Sequence, residues 1–138
     1  MISPATEPPA LAPGRDTRKS VVLVDDDAAV LSSLKFALEM EGFAVEAYQS
    51  GAEVIANMDP QNIGCLILDY HLPGPNGLDL LRALRGVGIV APAVIITTNP
   101  TLWLRQNAAT EGVAIVEKPL LGDALLEAVR TFLKGSSR

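Results

Sequence analysis

The sequence has 138 residues, which is enough for one domain with a single core and too few for two. Its composition, 49% hydrophobic and 20% charged, is typical of a soluble globular protein, and a net charge of −5 with scattered basic residues argues against a nucleic-acid surface. The single cysteine excludes an internal disulfide, and no segment reaches the roughly 18 consecutive apolar residues of a membrane helix. We therefore expect a cytoplasmic protein that binds neither a membrane nor nucleic acid directly.

The first 19 residues differ in composition from the rest of the chain. They are rich in proline, poor in large apolar side chains, and lack the basic and apolar pattern of a secretory signal. This composition predicts a disordered or extended tail at 1–19. We assign 20–134 to one folded domain and 135–138 to a short C-terminal tail.

From residue 20 onward, short apolar runs alternate with segments of helical periodicity. The run at 20–24 is β-branched and predicts a buried strand, and the helix predicted at 28–41 is followed by Gly42 as a stop. The later elements are predicted as a strand at 43–48, a helix from the cap Ser50 to Met58, a strand at 65–69, a loop at 72–77, a helix at 78–85, a strand at 93–97, a weak helix at 101–111, a strand at 113–117 and a helix at 121–134. Five strand–helix units predict an α/β fold with a parallel sheet and helices on both faces.

Acidic, hydroxyl and amino side chains follow four of the predicted strands. These groups are Asp25, Asp26 and Asp27 after the first strand, Asp69 at the end of the third, Thr97 and Thr98 at the fourth, and Glu117, Lys118 and Pro119 at the fifth. Ligands of parallel α/β sheets bind outside the carboxyl ends of the strands. We therefore expect these side chains to meet at one edge of the sheet.

An acidic cluster of this kind predicts a cation site, because neighbouring carboxylates repel each other. Carboxylate and carbonyl oxygens suit Mg²⁺ or Mn²⁺. One carboxylate could attack phosphorus to form an acyl phosphate, while a lysine and a hydroxyl stabilise the phosphoryl oxygens.

Each of these residues alone also has a structural interpretation. Asp69 could cap a turn or a helix, the aspartate triplet could cap the helix at 28, Lys118 with its proline could belong to a loop, and Thr97 could be a strand residue. Their joint placement at four strand ends favours the functional interpretation.

Four segments resemble the receiver domain of two-component response regulators. They are VVLVDDD at 21–27, LILDYHLPGPNGLDLL at 66–81, VIITT at 94–98 and VEKPL at 116–120. The resemblance covers about residues 20–134. It implies a flavodoxin-like (βα)5 sandwich with strand order 2-1-3-4-5.

The resemblance also implies a role for each matching residue of the phosphorylation site. Asp69 would be the phosphoacceptor, Thr97 the switch hydroxyl, and Lys118 the cation that contacts the phosphoryl group. The bond between Lys118 and Pro119 would be cis, which costs a proline only about 0.5–1 kcal/mol.

The implied metal site uses the neighbouring acidic residues. Asp26 would bind Mg²⁺ directly, Asp25 would act through a bridging water, and Asp69 and the backbone carbonyl of His71 would complete the protein ligands. Asp27 falls outside the acidic pair, and we interpret it as a helix cap. The side chain of His71 resembles a residue at the pocket rim that tunes water access and dephosphorylation, with metal binding or phosphate donation as the alternatives.

Three departures from the family pattern concern how phosphorylation is transmitted. Thr98 stands where relatives carry a very small residue, and it is expected to narrow access to the acceptor. Ile115 replaces the switch aromatic, and the segment at 99–103 is unusual. We interpret Trp103 as part of a partner surface, with packing against the last helix as the alternative.

The resemblance predicts a stand-alone receiver that accepts a phosphoryl group from the phosphohistidine of a sensor histidine kinase or phosphotransfer protein. It would catalyse only its own phosphorylation and dephosphorylation, and it would switch a face formed by 101–134 toward a downstream protein target or a homodimer. The alternatives are a phosphorylation-independent adaptor with this fold, or the receiver part of a longer transcription factor. A phosphatase with a Rossmann-like sheet is disfavoured, because His71 stands where such enzymes carry a second catalytic aspartate.

Overall fold

The computed structural model describes residues 19–118, 120 and 123–136, except for the side chains of 135 and 136. The tail predicted at 1–19 lies outside the described residues apart from Lys19. Pro119 also lies outside them, and with it the predicted cis bond.

Strands and helices alternate along the described chain. The elements are β1 (Ser20–Val24), α1 (Ala28–Met40), β2 (Ala44–Tyr48), α2 (Gly51–Asn57), a short 3-10 helix (Pro60–Asn62), β3 (Ile63–Asp69), α3 (Gly77–Gly86), β4 (Ala93–Thr97), α4 (Leu102–Thr110), β5 (Ala114–Glu117) and α5 (Ala124–Ser136). None of the described helices is long and apolar enough to cross a membrane.

The five strands form one parallel sheet in the order β2-β1-β3-β4-β5. This confirms the predicted flavodoxin-like topology. The strand order reverses between β1 and β3, so the ligand-binding position of such a sheet lies at the carboxyl ends of these two strands.

The sheet separates two layers of core side chains, because alternate residues of each strand point to opposite faces. Val22 and Val24 pack in the layer with α2, α3 and α4, whereas Val21 and Leu23 pack in the layer with α1 and α5. All five residues of β1 are buried. Fully burying each valine or leucine side chain of this strand stabilises the fold by about 1.5–3 kcal/mol.

The predicted element boundaries hold to within a few residues, with two informative differences. Strand β3 begins at Ile63, two residues before the prediction, because the 3-10 helix turns the chain so that Ile63 pairs with Ser20. Helix α5 begins at Ala124, later than predicted, and continues to Ser136, into the segment assigned to the C-terminal tail. The predicted stop after α1 is confirmed, since Gly42 adopts a φ of 96° that other residues rarely adopt.

Candidate phosphorylation site

Asp25 lies at the buried bottom of the site, directly after β1. Its backbone N–H donates to the carbonyl of Tyr48 at 3.1 Å, which ties it to the end of β2. Its Oδ1 accepts from the backbone N–H of Asp27 at 2.9 Å, and its Oδ2 lies 3.1 Å from Nζ of Lys118. A fully buried carboxylate needs such partners, and both of its oxygens have one.

Asp69 lies beside Asp25 at the end of β3, with only 3% of its surface exposed. Its Oδ1 accepts from the backbone N–H of His71 at 3.3 Å, and its Oδ2 lies 3.5 Å from Nζ of Lys118. Burial and the charge of Asp25 raise the pKa of Asp69, although Lys118 and the His71 N–H partly offset the shift. The site therefore carries more negative charge than one lysine neutralises.

Lys118 bridges the two buried carboxylates. Its backbone N–H donates to the carbonyl of Thr97 at 2.8 Å, which places the residue at the end of β4 as well as β5. Burial alone would lower the pKa of Lys118, but its hydrogen bond to Asp25 and the charges of both aspartates raise it. The ammonium group is therefore held charged next to Asp69.

The other two acidic residues of the triplet have different surroundings. Carboxylate oxygens of Asp25, Asp26 and Asp69 lie within 4.8 Å of one another, and Asp26 is exposed. Asp27 turns away from this group: its Oδ1 accepts from the backbone N–H groups of Ala29 and Val30. The interpretation of Asp27 as a helix cap is confirmed.

Thr97 is fully buried at the end of β4, and its hydroxyl has two neighbours. The backbone N–H of Asn99 donates to Oγ1 at 3.4 Å, and Nε2 of His71 lies 3.4 Å from the same oxygen. The His71 ring also packs edge-on against Tyr70, with ring centroids 5.1 Å apart. The structure thus brings the side chains of His71 and Thr97 together, which the sequence did not predict.

Gly77 is a further residue of the site whose role the sequence analysis missed. A Cβ at this position would lie 2.4 Å from the backbone oxygen of Asp69, so only glycine allows α3 to start this close to Asp69. The Gly77 N–H donates to the carbonyl of Tyr70 at 2.9 Å, and Asn76 caps α3. The PNG segment was visible as a loop signal, but its close approach to Asp69 arises only in the folded chain.

The three residues that depart from the family pattern lie in different environments. Thr98 is exposed and lines a groove of about 570 Å³, which is also bordered by Ala29, Val30 and Lys118. Ile115 is partly buried and packs in the core layer that contains α4. Trp103 is 52% exposed on α4. Narrowed access to the acceptor and a partner surface at Trp103 stay predictions.

Together, the fold and the site define a doubly wound α/β domain with an acidic, lysine-containing site at the carboxyl edge of its sheet. The model of the response regulator receiver domain family matches residues 21–130. The chain belongs to this family.

Individual proteins show the same likeness. The chain is 36% identical over 118 residues to the transcriptional regulatory protein FixJ of Azorhizobium caulinodans, covering 85% of this chain and 56% of that protein. It is 34% identical over 118 residues to the transcriptional regulatory protein TrcR of Mycobacterium tuberculosis, covering 85% of this chain and 46% of that protein. The chain therefore spans about half the length of these relatives. A CheY-like receiver domain from Methanospirillum hungatei superposes with a TM-score of 0.77 and 28% identity, covering 86% of this chain and 95% of that one.

Proposed function

We propose that Asp69 accepts a phosphoryl group from the phosphohistidine of a sensor histidine kinase or phosphotransfer protein, in a Mg²⁺-dependent reaction. The observation that carries this proposal is the convergence of three carboxylates and one ammonium group at the end of β3. Membership of the receiver family supports it.

The chemistry follows from the groups around Asp69. A carboxylate oxygen of Asp69 attacks phosphorus, the phosphorus–nitrogen bond of the donor breaks, and the electron pair leaves with the donor imidazole. The attacking form is the ionised carboxylate, which the neighbouring ammonium of Lys118 favours. Lys118 lies close enough to contact the phosphoryl oxygens, and Thr97 supplies a hydroxyl donor at the next strand end.

The donor set fits a divalent cation with a preference for oxygen ligands. Asp26 would hold it directly, Asp25 through a water, and Asp69 and the backbone carbonyl of His71 would complete the site. Bound Mg²⁺ or Mn²⁺ supplies positive charge that offsets the carboxylates and the phosphoryl oxygens. The excess of negative charge around Asp69 is the feature of this chain that supports such a cation.

The experiment that tests the proposal is incubation of the chain with Mg²⁺ and acetyl phosphate, followed by intact mass spectrometry. We expect one added phosphate in the wild type and none in Asp69→Asn. Asp27→Asn is the matched control, because it makes the same chemical change in the neighbouring helix cap and asparagine also caps well. A wild type that takes no phosphate, or an Asp69→Asn variant that takes as much, would contradict the proposal.

The output of the domain has two candidates. The first is a stand-alone receiver whose face at 101–134 binds a downstream protein target or a second copy when Asp69 is phosphorylated. The second is the receiver part of a longer transcriptional regulator, which is favoured by the names of the relatives and by the half of their length that the chain spans. In either case the domain would have no catalytic activity beyond its own phosphorylation and dephosphorylation.

A phosphorylation-independent adaptor is the remaining alternative, motivated by Thr98 and Ile115. Sedimentation velocity of the chain with and without beryllofluoride and Mg²⁺ measures whether the acceptor controls self-association. Once a partner is identified, its affinity for the two states measures output directly. Equal affinities would favour the adaptor, and a difference would favour the phosphorylation switch.

A further inference from the structure

The side chain of His71 is in contact with the switch hydroxyl of the proposed mechanism. Nε2 of His71 lies 3.4 Å from Oγ1 of Thr97. His71 is exposed, whereas Thr97 is fully buried, so the contact joins a surface side chain to an interior one. A role for His71 in controlling water access at the pocket rim would not require this contact with Thr97.

The contact with His71 uses part of the limited hydrogen-bonding capacity of the Thr97 hydroxyl. A hydroxyl has one proton and two lone pairs, and the Asn99 N–H already uses one lone pair of Thr97. Depending on its tautomer, His71 either donates to the second lone pair or accepts the proton. In the first case the two donors fix the position of Oγ1, and in the second case His71 also binds the hydroxyl proton. At 3.4 Å the contact is already near the limit of a hydrogen bond, so a turn of the hydroxyl toward a phosphoryl group would break it.

The ring of His71 is itself held in place by the loop between β3 and α3. It packs edge-on against Tyr70, with an interplanar angle of 83°. The Tyr70 hydroxyl accepts from Nδ2 of Asn76 at 3.4 Å, and Oδ1 of Asn76 caps α3 by accepting from the Asp79 N–H at 2.9 Å. A continuous set of contacts therefore runs from Thr97 through His71 to the start of α3.

We propose that His71 is a positioning residue that holds the Thr97 hydroxyl in the unphosphorylated state and competes with the phosphoryl group for it. Release of Thr97 then frees the His71 ring and the loop that Tyr70 and Asn76 organise. This inference rests on the proposed phosphorylation of Asp69, and it assigns the side chain of His71 a role distinct from water access. It also gives the domain a connection to its surface that does not depend on an aromatic side chain at 115.

Two substitutions distinguish the effect of the His71 ring nitrogen from the effect of the ring itself. His71→Phe keeps a ring to pack against Tyr70 and removes the nitrogen, while His71→Gln keeps a side-chain nitrogen and removes the ring. In the unphosphorylated full chain, three-bond couplings to the Thr97 methyl report its χ1 rotamer. We expect one rotamer in the wild type and in His71→Gln, and averaging between rotamers in His71→Phe.

The functional measurement is the affinity for beryllofluoride in the presence of Mg²⁺. Loss of one competing hydrogen bond is expected to tighten binding about 3-fold in His71→Phe, with His71→Gln close to wild type. In a Thr97→Val background, which has the same shape without the hydroxyl, His71→Phe should have no effect. An equal effect in both backgrounds, or an unchanged Thr97 rotamer, would overturn the proposal.

The outcomes distinguish this proposal from the phosphorylation it rests on. A wild type that takes phosphate from acetyl phosphate but shows no coupling between His71 and Thr97 contradicts only the positioning role. A wild type that takes no phosphate and binds no beryllofluoride contradicts the proposed function, and with it the competition for Thr97. The rotamer measurement requires no phosphorylation and tests the resting contact in either case.

Discussion

The site at the ends of β1 and β3 and the face formed by α4 and β5 are built in opposite ways. At the site, Asp25 and Asp69 are buried and each has several hydrogen-bond or charge partners. On the other face, β5 is only partly buried, and Leu102 and Trp103 are 71% and 52% exposed. The difference shows that the fold fixes the positions of the buried side chains at the site, whereas Leu102 and Trp103 on the other face have large exposed surfaces.

Lys118→Met gives the largest expected effect, because it removes the ammonium group between the two buried carboxylates. We expect the rate of phosphorylation by acetyl phosphate to fall on the order of 100-fold, as for the loss of one charge-stabilising donor at a reacting group. Lys35→Met is the control, since Lys35 forms an exposed pair with Glu39 on α1. Rates for Lys118→Met close to those of the control would show that the site does not depend on this cation.

Gly77→Ala tests how closely the site is packed. The added Cβ meets the backbone oxygen of Asp69, so we expect a loss of about 1–3 kcal/mol in the free energy of unfolding and slower phosphorylation. Gly86→Ala is the matched control at the other end of α3, where an added Cβ has no neighbour within 4 Å and alanine favours the helix. Urea denaturation of both variants measures the difference. Equal stabilities would mean that the loop can move away from Asp69 at no cost.

Asp69→Asn is expected to stabilise the domain by about 1 kcal/mol at pH 7 without metal, the scale of a typical single substitution. The pKa of Asp69 is raised, so the folded state binds a proton more tightly than the unfolded state does. Stability contributed by the protonated form is therefore lost as pH rises from the ordinary value of about 4 through the raised pKa. The free energy of unfolding, measured by denaturation across this pH range, should depend less on pH in Asp69→Asn than in the wild type. The same pH dependence in both proteins would contradict a raised pKa for Asp69.

Trp103→Ala is expected to have the smallest effect on stability, within about 0.5 kcal/mol, because the side chain is half-exposed. Leu104→Ala is the contrast on the next residue of α4, where 1% exposure predicts a loss of about 2–5 kcal/mol. Thermal denaturation of the two variants measures how far the exposed face is independent of the core. A large loss for Trp103→Ala would indicate that its ring packs into the fold rather than serving a partner.

The sequence predicted β1 and β4 well because each contains a short, continuous apolar run. It also placed Asp25, Asp69 and Lys118 at one edge, since the carboxyl ends of parallel strands coincide. The contact of His71 with Thr97 was not predictable, because residues 26 positions apart meet only after β3 and β4 pair. The start of β3 was missed for a similar reason: its first residue is fixed by pairing with β1 rather than by local composition.

The most direct test of the central claim is to locate the phosphate by chemistry specific to an acyl phosphate. The chain is incubated with Mg²⁺ and acetyl phosphate, reduced with borohydride, digested and sequenced by tandem mass spectrometry. Reduction of an aspartyl phosphate leaves a homoserine at the modified position. We predict homoserine at position 69 alone. Homoserine at Asp25 or Asp26 instead, or at no position, would contradict the account.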